Sequence, residues 1–393
     1  MKYPLATETW TDEEKNSAKS VIDSGMCTLG PITKEFEDKF SKHFGSKYSV
    51  FVNSGSSANL LAVAAMRYRK GSALGTVIVP AVSWSTTYYP IHQLGYKLAF
   101  IDVSLQDFNM QVETIKNAIN DIDDVVGVMA VNLLGMPCHL QEIKDLCDEN
   151  NIFLIEDNCE SMGATYNGKY AGTFGDIGTF STFFSHHICT VEGGVCVTDD
   201  EELYHLMLSL RSHGWIRNLP EKNHVFDKSG NYFEDSFKFV LPGYNIRGND
   251  IFAAIGLKQL DKLDDIVNNR INNYFTLIRN ADNSIFGEGK SLEIQNYTIP
   301  TQQSSWFGFG FICKNNRDEI VNKLLQNGIE CRPIVAGNFL KNPVIKHLDH
   351  IVYGDIINAD IIDKNGFFIG NNGEDLSEEI NYFVNIYKNN LLT

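Results

Sequence analysis

The chain has 393 residues, 43% hydrophobic and 21% charged, the balance of an ordinary soluble globular protein long enough for two lobes. A net charge of −16 argues against a nucleic-acid or anionic-membrane surface, so an anionic substrate would need a local basic pocket. The eight cysteines (Cys27, Cys138, Cys147, Cys159, Cys189, Cys196, Cys313 and Cys331) contain no C-x-C or C-x-x-C pair, and neither a metal site nor a disulfide framework is expected. The start, Met1 to Glu14, has no apolar signal core, and no apolar run is long enough to span a bilayer; a cytoplasmic location is expected.

Thr11-Asp12-Glu13-Glu14 predicts a capped helix start. Phe36, Phe40 and Phe44 recur every fourth residue on a second helix that stops at Gly45. The strand-like run Tyr48 to Val52 leads through Asn53-Ser54-Gly55-Ser56-Ser57 into a helical stretch, Asn59 to Arg69. A Gly-Ser turn opening a helix offers free N–H groups and hydroxyls to an anion, although plain serine capping uses the same residues. Val77 to Pro80 predicts a buried strand, and Trp84 falls just beyond its C-terminal end, the edge where open α/β sheets keep ligands. A tryptophan of the core is the alternative.

Leu98 to Val103 and Val125 to Val131 are further strand candidates, alternating with helical stretches such as Gln141 to Glu149. This rhythm predicts a mainly parallel sheet covered by helices, and the lack of a GxGxxG turn removes a dinucleotide site. Ile152 to Ile155 runs into Glu156-Asp157, an apolar strand ending in carboxylates that need partners; Asp157 suits a protonated ring nitrogen. A strand over Gly178 to Phe184 carries Ser181 toward His186-His187, a turn holding Gly193-Gly194, and a returning strand, Val195 to Thr198. Beyond Leu210 comes a loop with His213 and Arg217, then a polar stretch, Pro220 to Glu234, expected as a flap over the substrate. A long helix beyond Asp261 leads to a strand-like Ser305 to Phe309 and to Gly328-Ile329-Glu330-Cys331-Arg332. The expected domains are 1–260, large and cofactor-binding, and 261–393, a smaller C-terminal domain.

Three of these segments, Ser54 to Ser57, Glu156 to Ser161 and Ser181 to Gly194, together with Gly243-Tyr244-Asn245-Ile246-Arg247, resemble the DegT/DnrJ/EryC1/StrS family of sugar aminotransferases. The resemblance covers Trp10 to about Gly370. It implies the aspartate-aminotransferase-like α/β fold (fold type I), pyridoxal or pyridoxamine 5′-phosphate as cofactor, and a homodimer with shared active sites. By that likeness Gly55, Ser56 and Ser181 cradle the cofactor phosphate, Trp84 stacks on the ring, Asp157 pairs with the ring nitrogen, and Glu160 bonds the ring hydroxyl. Asn245 reaches the phosphate of the neighbouring subunit. His213, Arg217 and Arg332 are the candidates for sugar or diphosphate contact. Gly248-Asn249-Asp250 departs from the family's usual turn after this arginine.

The lysine that the family links to its cofactor is replaced here by His186, and no lysine occurs between Lys169 and Lys222. Imidazole can move a proton but forms no lasting imine, so the cofactor is held non-covalently. The chain is similar in Trp84 to Tyr88, Glu156 to Ala164, Ser185-His186-His187 and Gly328 to Ile334 to the family's branch of GDP-4-keto-6-deoxy-D-mannose 3-dehydratases. The branch implies loss of the sugar's 3-hydroxyl, with L-glutamate as amino donor. The family's other lysine-less dehydratases carry an iron–sulfur cluster on closely spaced cysteines, a spacing this chain lacks. An imidazole titrating near its ordinary 6.5 suits proton transfer at neutral pH. His187, expected to point away from His186 along an extended segment, is the rival base. Two alternatives stay open: a conventional nucleotide-sugar 4-aminotransferase, and a non-catalytic relic that only binds a nucleotide sugar.

Overall fold

The apolar runs of the first half become β1 (Tyr48–Val52), β2 (Thr76–Pro80), β3 (Lys97–Ile101), β4 (Val125–Val131), β5 (Phe153–Asp157), β6 (Ile177–Ser181) and β7 (Gly194–Thr198) in the computed structural model, which describes residues 1–286 and 291–391. Strands covered on both faces need apolar side chains at nearly every position, which is why these runs do not alternate. Later strands are β8 (Leu292–Ile294), β9 (Gly308–Cys313), β10 (Cys331–Arg332), β11 (His350–Val352) and β12 (Gly366–Gly370). The large sheet has the order β1-β7-β6-β5-β4-β2-β3-β11, and a smaller one runs β8-β9-β12-β10. In the large sheet β7 is antiparallel to β1 and β6, while its other described pairings are parallel. The smaller sheet is antiparallel. Its chain segment also returns β11 to the edge of the large sheet, parallel to β3. Of the expected second domain, residues 287–290 and 392–393 lie outside the described residues.

Local signals explain the helices. Thr11 and Glu14 close a reciprocal capping box at the start of Asp12–Ser24. Pro31 opens Pro31–Phe44, and Gly45 ends it in the left-handed conformation. Phe36, Phe40 and Phe44 of that helix pack edge-on or tilted against one another, with Phe51 of β1 and Phe180 of β6. These rings fix the outer layer to the strand that ends at the candidate phosphate site. The helix Leu263–Ile285 then carries the chain to the smaller sheet. No helix among the described residues is long and apolar enough to cross a membrane.

Two strand expectations need correction. The run Gly178 to Phe184 stops at Ser181, because Thr182 N–H donates to Gly193 O (2.9 Å) and the chain turns, leaving Phe183 and Phe184 exposed. The stretch Ser305 to Phe309 is no strand before Gly308. Trp306 sits at φ 45°, fully buried, with its ring stacked on Tyr274 at 3.7 Å and its Nε1 donating to Tyr297 Oη. Packing of one large ring overrides the apparent alternation.

Beneath β1 lies a buried ion pair. Arg211 Nη1 bonds Glu37 Oε1 and donates to Phe51 O (2.8 Å), and the same carboxylate accepts from Phe51 N–H (2.8 Å). Removing one partner strands the other charge in the interior. Glu37→Ala is therefore expected to cost about 3–5 kcal/mol, read as a lower denaturant midpoint at unchanged slope.

Candidate active site

The C-terminal ends of the parallel strands meet a cavity of about 740 Å³. The helix Gly55–Tyr68 begins at its wall, with Ser54 Oγ accepting from Ser57 N–H as cap. A Cβ on Gly55 would fall 2.7 Å from Ser181 Cβ and 3.0 Å from Cys159 Sγ, so glycine alone fits. This close approach brings the first turn of the helix, Ser56 and Ser181 into one pocket. Ser56 Oγ also bonds Thr86 Oγ1 (2.8 Å). The hydroxyls and the free N–H groups of the helix start suit an anion.

Asp157 ends β5 at the cavity, 5% exposed. Its Oδ2 accepts from Asn59 Nδ2 (2.8 Å) and Thr87 Oγ1 (2.7 Å), and its Oδ1 from Cys159 N–H (3.2 Å). Asn59 is in turn set by Thr179 Oγ1 donating to its Oδ1 (2.6 Å). Neighbouring Glu156 points the other way, buried and satisfied by the N–H groups of Gly172, Phe174 and Gly175. Trp84 is 58% exposed and lines the cavity, which rules out the core alternative.

Glu160 lines the cavity and accepts from Leu134 N–H (3.0 Å). Burial, and then the charge of Asp157, push its carboxyl up to about 7. His186 is half-buried at the cavity wall, its ring 5.1 Å from Phe307, and its Nδ1 is sealed without a partner. Nε2 is thus the nitrogen available to the cavity. Burial and the Arg270 charge lower its pKa to about 3, so the imidazole is neutral, not half-protonated near 6.5 as the sequence led us to expect. The turn Thr182 to Gly193 is not extended either. His187 is fully buried, and its Nε2 lies 3.2 Å from Ser305 O, so it packs behind the wall. No lysine lines the cavity among the described residues.

Gly55, Ser56, Trp84, Asp157, Glu160, Ser181, His186 and Arg332 therefore share one cavity. Arg332 stands at its mouth, 3.5 Å from Glu330. Asn245, His213 and Arg217 do not join them. Asn245 is exposed and accepts from Arg247 Nε (3.1 Å), and its backbone bridges to Ser212. Arg217 is exposed over Trp215 and lines a separate small pocket with Lys228 and Tyr232. The expected flap, Pro220 to Glu234, contributes no lining residue to the large cavity. Its chain is tied elsewhere, by the bridge of Trp215 to Phe239 and by His224, which stacks on His205 and bonds Glu201. Asn59 and Thr87, which hold Asp157, and Phe307 were not singled out in the sequence. Asn59 and Thr87 sit in helices and Phe307 just before β9, each a type that ordinary packing also uses, so spacing gives no signal.

A raised carboxyl costs stability once the unfolded chain ionises it. The penalty for Glu160 is absent below about 4.5 and complete above about 7. The cofactor-free protein should lose stability across that window by on the order of 1 kcal/mol per pH unit from this group. Glu160→Gln should remove that slope, a difference measurable by denaturant titration at several pH values.

Comparison with known proteins identifies the family and the fold. Residues 8–383 match the model of the DegT/DnrJ/EryC1/StrS aminotransferase family. The GDP-4-keto-6-deoxy-D-mannose 3-dehydratase of Escherichia coli O55:H7 is 48% identical over 99% of this chain and 100% of its own. The enzyme of the same name from Yersinia pseudotuberculosis is 48% identical, over 99% and 98%. A solved structure of GDP-4-keto-6-deoxymannose-3-dehydratase with a trapped PLP-glutamate geminal diamine superposes with a TM-score of 0.92 at 48% identity, over 98% of this chain and 99% of that one. The α/β architecture is thus that of the PLP aminotransferase fold, and the chain belongs to the DegT/DnrJ/EryC1/StrS aminotransferase family.

Proposed function

We propose that this chain is a 3-dehydratase that uses pyridoxamine and pyridoxal 5′-phosphate, held non-covalently, to remove the C-3 hydroxyl of GDP-4-keto-6-deoxy-D-mannose, with L-glutamate restoring the amino form. The observation that carries the proposal is the cavity wall itself: a neutral imidazole where the family keeps its lysine, and no lysine among the described lining residues. The likeness to two dehydratases of that name supports the substrate.

The residues fit the cofactor. The close approach at Gly55 leaves a cradle in which Ser56, Ser181 and the helix N-terminus would take the phosphate. Asp157, oriented by Asn59 and Thr87, would pair with the ring nitrogen, and the open face of Trp84 would stack on the ring. Glu160, whose carboxyl holds a proton up to about neutral pH, would donate to or share a proton with the ring hydroxyl. When bound, the cofactor supplies an amine for the 4-keto group and an electron sink for departure of the neighbouring hydroxyl.

His186 does the proton work. Its Nε2 takes up and returns the proton in the cavity, a contribution of about 10²–10⁴-fold in rate. Imidazole cannot tether the cofactor, and the nitrogen left on the deoxygenated sugar is lost by hydrolysis, water supplying the 4-keto oxygen and ammonia leaving. Arg332 at the mouth, close to Glu330, is placed to meet an anionic part of the substrate.

A cytoplasmic homodimer with shared sites completes the proposal. Asn245, His213 and Arg217 lie outside their own cavity: Arg217 shares a small pocket with the exposed Tyr232, and His213 packs on Trp215, which bridges to the exposed Phe239. A second copy covering these rings would receive Asn245 at its cofactor phosphate.

Incubation with pyridoxamine phosphate, glutamate and GDP-4-keto-6-deoxymannose should release ammonia and a sugar lighter by its 3-hydroxyl. A retained 4-amino group would instead establish an aminotransferase, and an unchanged sugar a binding relic. His186→Asn should lower turnover about 10²–10⁴-fold, and His186→Lys should link covalently to pyridoxal phosphate with a shift in visible absorption. Mixing inactive Asn245→Ala and His186→Asn chains under exchange should restore about a quarter of the activity, since half the dimers then own one intact site of two. No recovery would place Asn245 outside the shared site.

A further inference from the structure

Behind the histidine turn the long helix Leu263–Ile285 presents Arg270, only 2% exposed. Its Nη1 donates to Asn371 O (2.7 Å), Phe307 O (3.0 Å) and Trp306 O (3.3 Å), and its Nη2 to His186 O (3.5 Å). Asn371 Nδ2 donates back to Arg270 O (3.1 Å) and Trp306 O (2.8 Å). Arg270 Nε has no partner, and no carboxylate among the described residues pairs with the guanidinium. Burying a cation against carbonyl dipoles alone is expensive, and the interior usually supplies a carboxylate. A fork of donors that ties its helix to three other chain segments at the back of the base needs a reason beyond packing.

We propose that Arg270 is the positioning residue of the active site: it clamps the His186 carbonyl to those of Trp306, Phe307 and Asn371, and stands as an unpaired cation behind the ring. The clamp sets His186 against Phe307, whose ring lies 5.1 Å away and whose own carbonyl is in the same cage. The charge opposes a second positive charge on the imidazole, so the ring meets its substrate free to accept a proton. The lowered pKa values of His186 and His187, caused first by burial and next by Arg270, agree with this placement. The other ionisable groups around the ring are His187 and Glu192 on its own turn and, elsewhere in the cavity lining, Asp157, Cys159, Glu160, Glu330 and Arg332.

The catalytic consequence rests on the dehydratase proposal, but the electrostatic part can be read without turnover. In cofactor-free protein with ¹⁵N-labelled histidine rings, His186 should stay neutral between about pH 5 and 8; titration near 6.5 overturns the proposal. In Arg270→Met the His186 titration should rise by about one unit or more. Arg270→Lys keeps the charge but cannot reach all four carbonyls. It should leave the titration low while kcat falls about tenfold or more at little-changed KM. An unmoved titration in folded Arg270→Met overturns the charge role, and wild-type kcat in Arg270→Lys overturns the clamp. Should Arg270→Met not fold, Arg270→Gln is read for the same rise in titration, and Arg270→Lys still decides the clamp. Absence of dehydration in the wild-type chain, with the NMR shifts as expected, would sink the assigned reaction and leave Arg270's effect on the ring standing.

Discussion

The cavity depends on one close approach, that of the helix start at Gly55 to the end of β6 at Ser181. A single methyl group there would collide with the serine Cβ at 2.7 Å. Because none is present, the free N–H groups of a helix and the hydroxyl of a strand end converge on one point. Asp157, on the strand next to β6, enters the same space from the side. An anion site and a carboxylate that prefers a cation are thereby held at fixed separation by the sheet, before any ligand contributes.

Much of this was legible in the sequence because it is written in local terms. The strand ends, the Gly-Ser turn and the carboxylates after an apolar run each state their own chemistry over a few residues. The capping box at Thr11 and the phenylalanine repeat at Phe36, Phe40 and Phe44 were equally readable. What escaped was set by distant packing. Trp306 looked like a strand residue until Tyr274, thirty-two positions upstream by number, fixed it in a left-handed turn. Asn59 and Thr87 converge on Asp157 from two different helices, which no spacing rule reveals.

The protonation state of His186 belongs with these long-range effects. A sequence supplies only the ordinary pKa, whereas the fold supplies burial first and a guanidinium from a remote helix second. A base that never carries a proton at rest is always ready to accept one, but it binds that proton weakly. Such a group is fast at passing a proton on, and any anion in the cavity would raise its pKa and favour the protonated ring. Glu160 is displaced in the opposite sense by burial, so acid and base are set apart within one cavity by their environments.

The antiparallel insertion of β7 between β1 and β6 has a consequence for how this site can vary. Elsewhere in the large sheet, parallel neighbours are joined by long crossovers whose length can drift without moving the strand ends. The histidine turn instead closes a hairpin, with Thr182 and Gly193 hydrogen-bonded at its neck and Ser181 opposite Gly194 in register. One residue gained or lost inside that neck would slip the pairing and reverse which side chains face the pocket. The reaction type at this position is open to substitution in place and closed to changes of length.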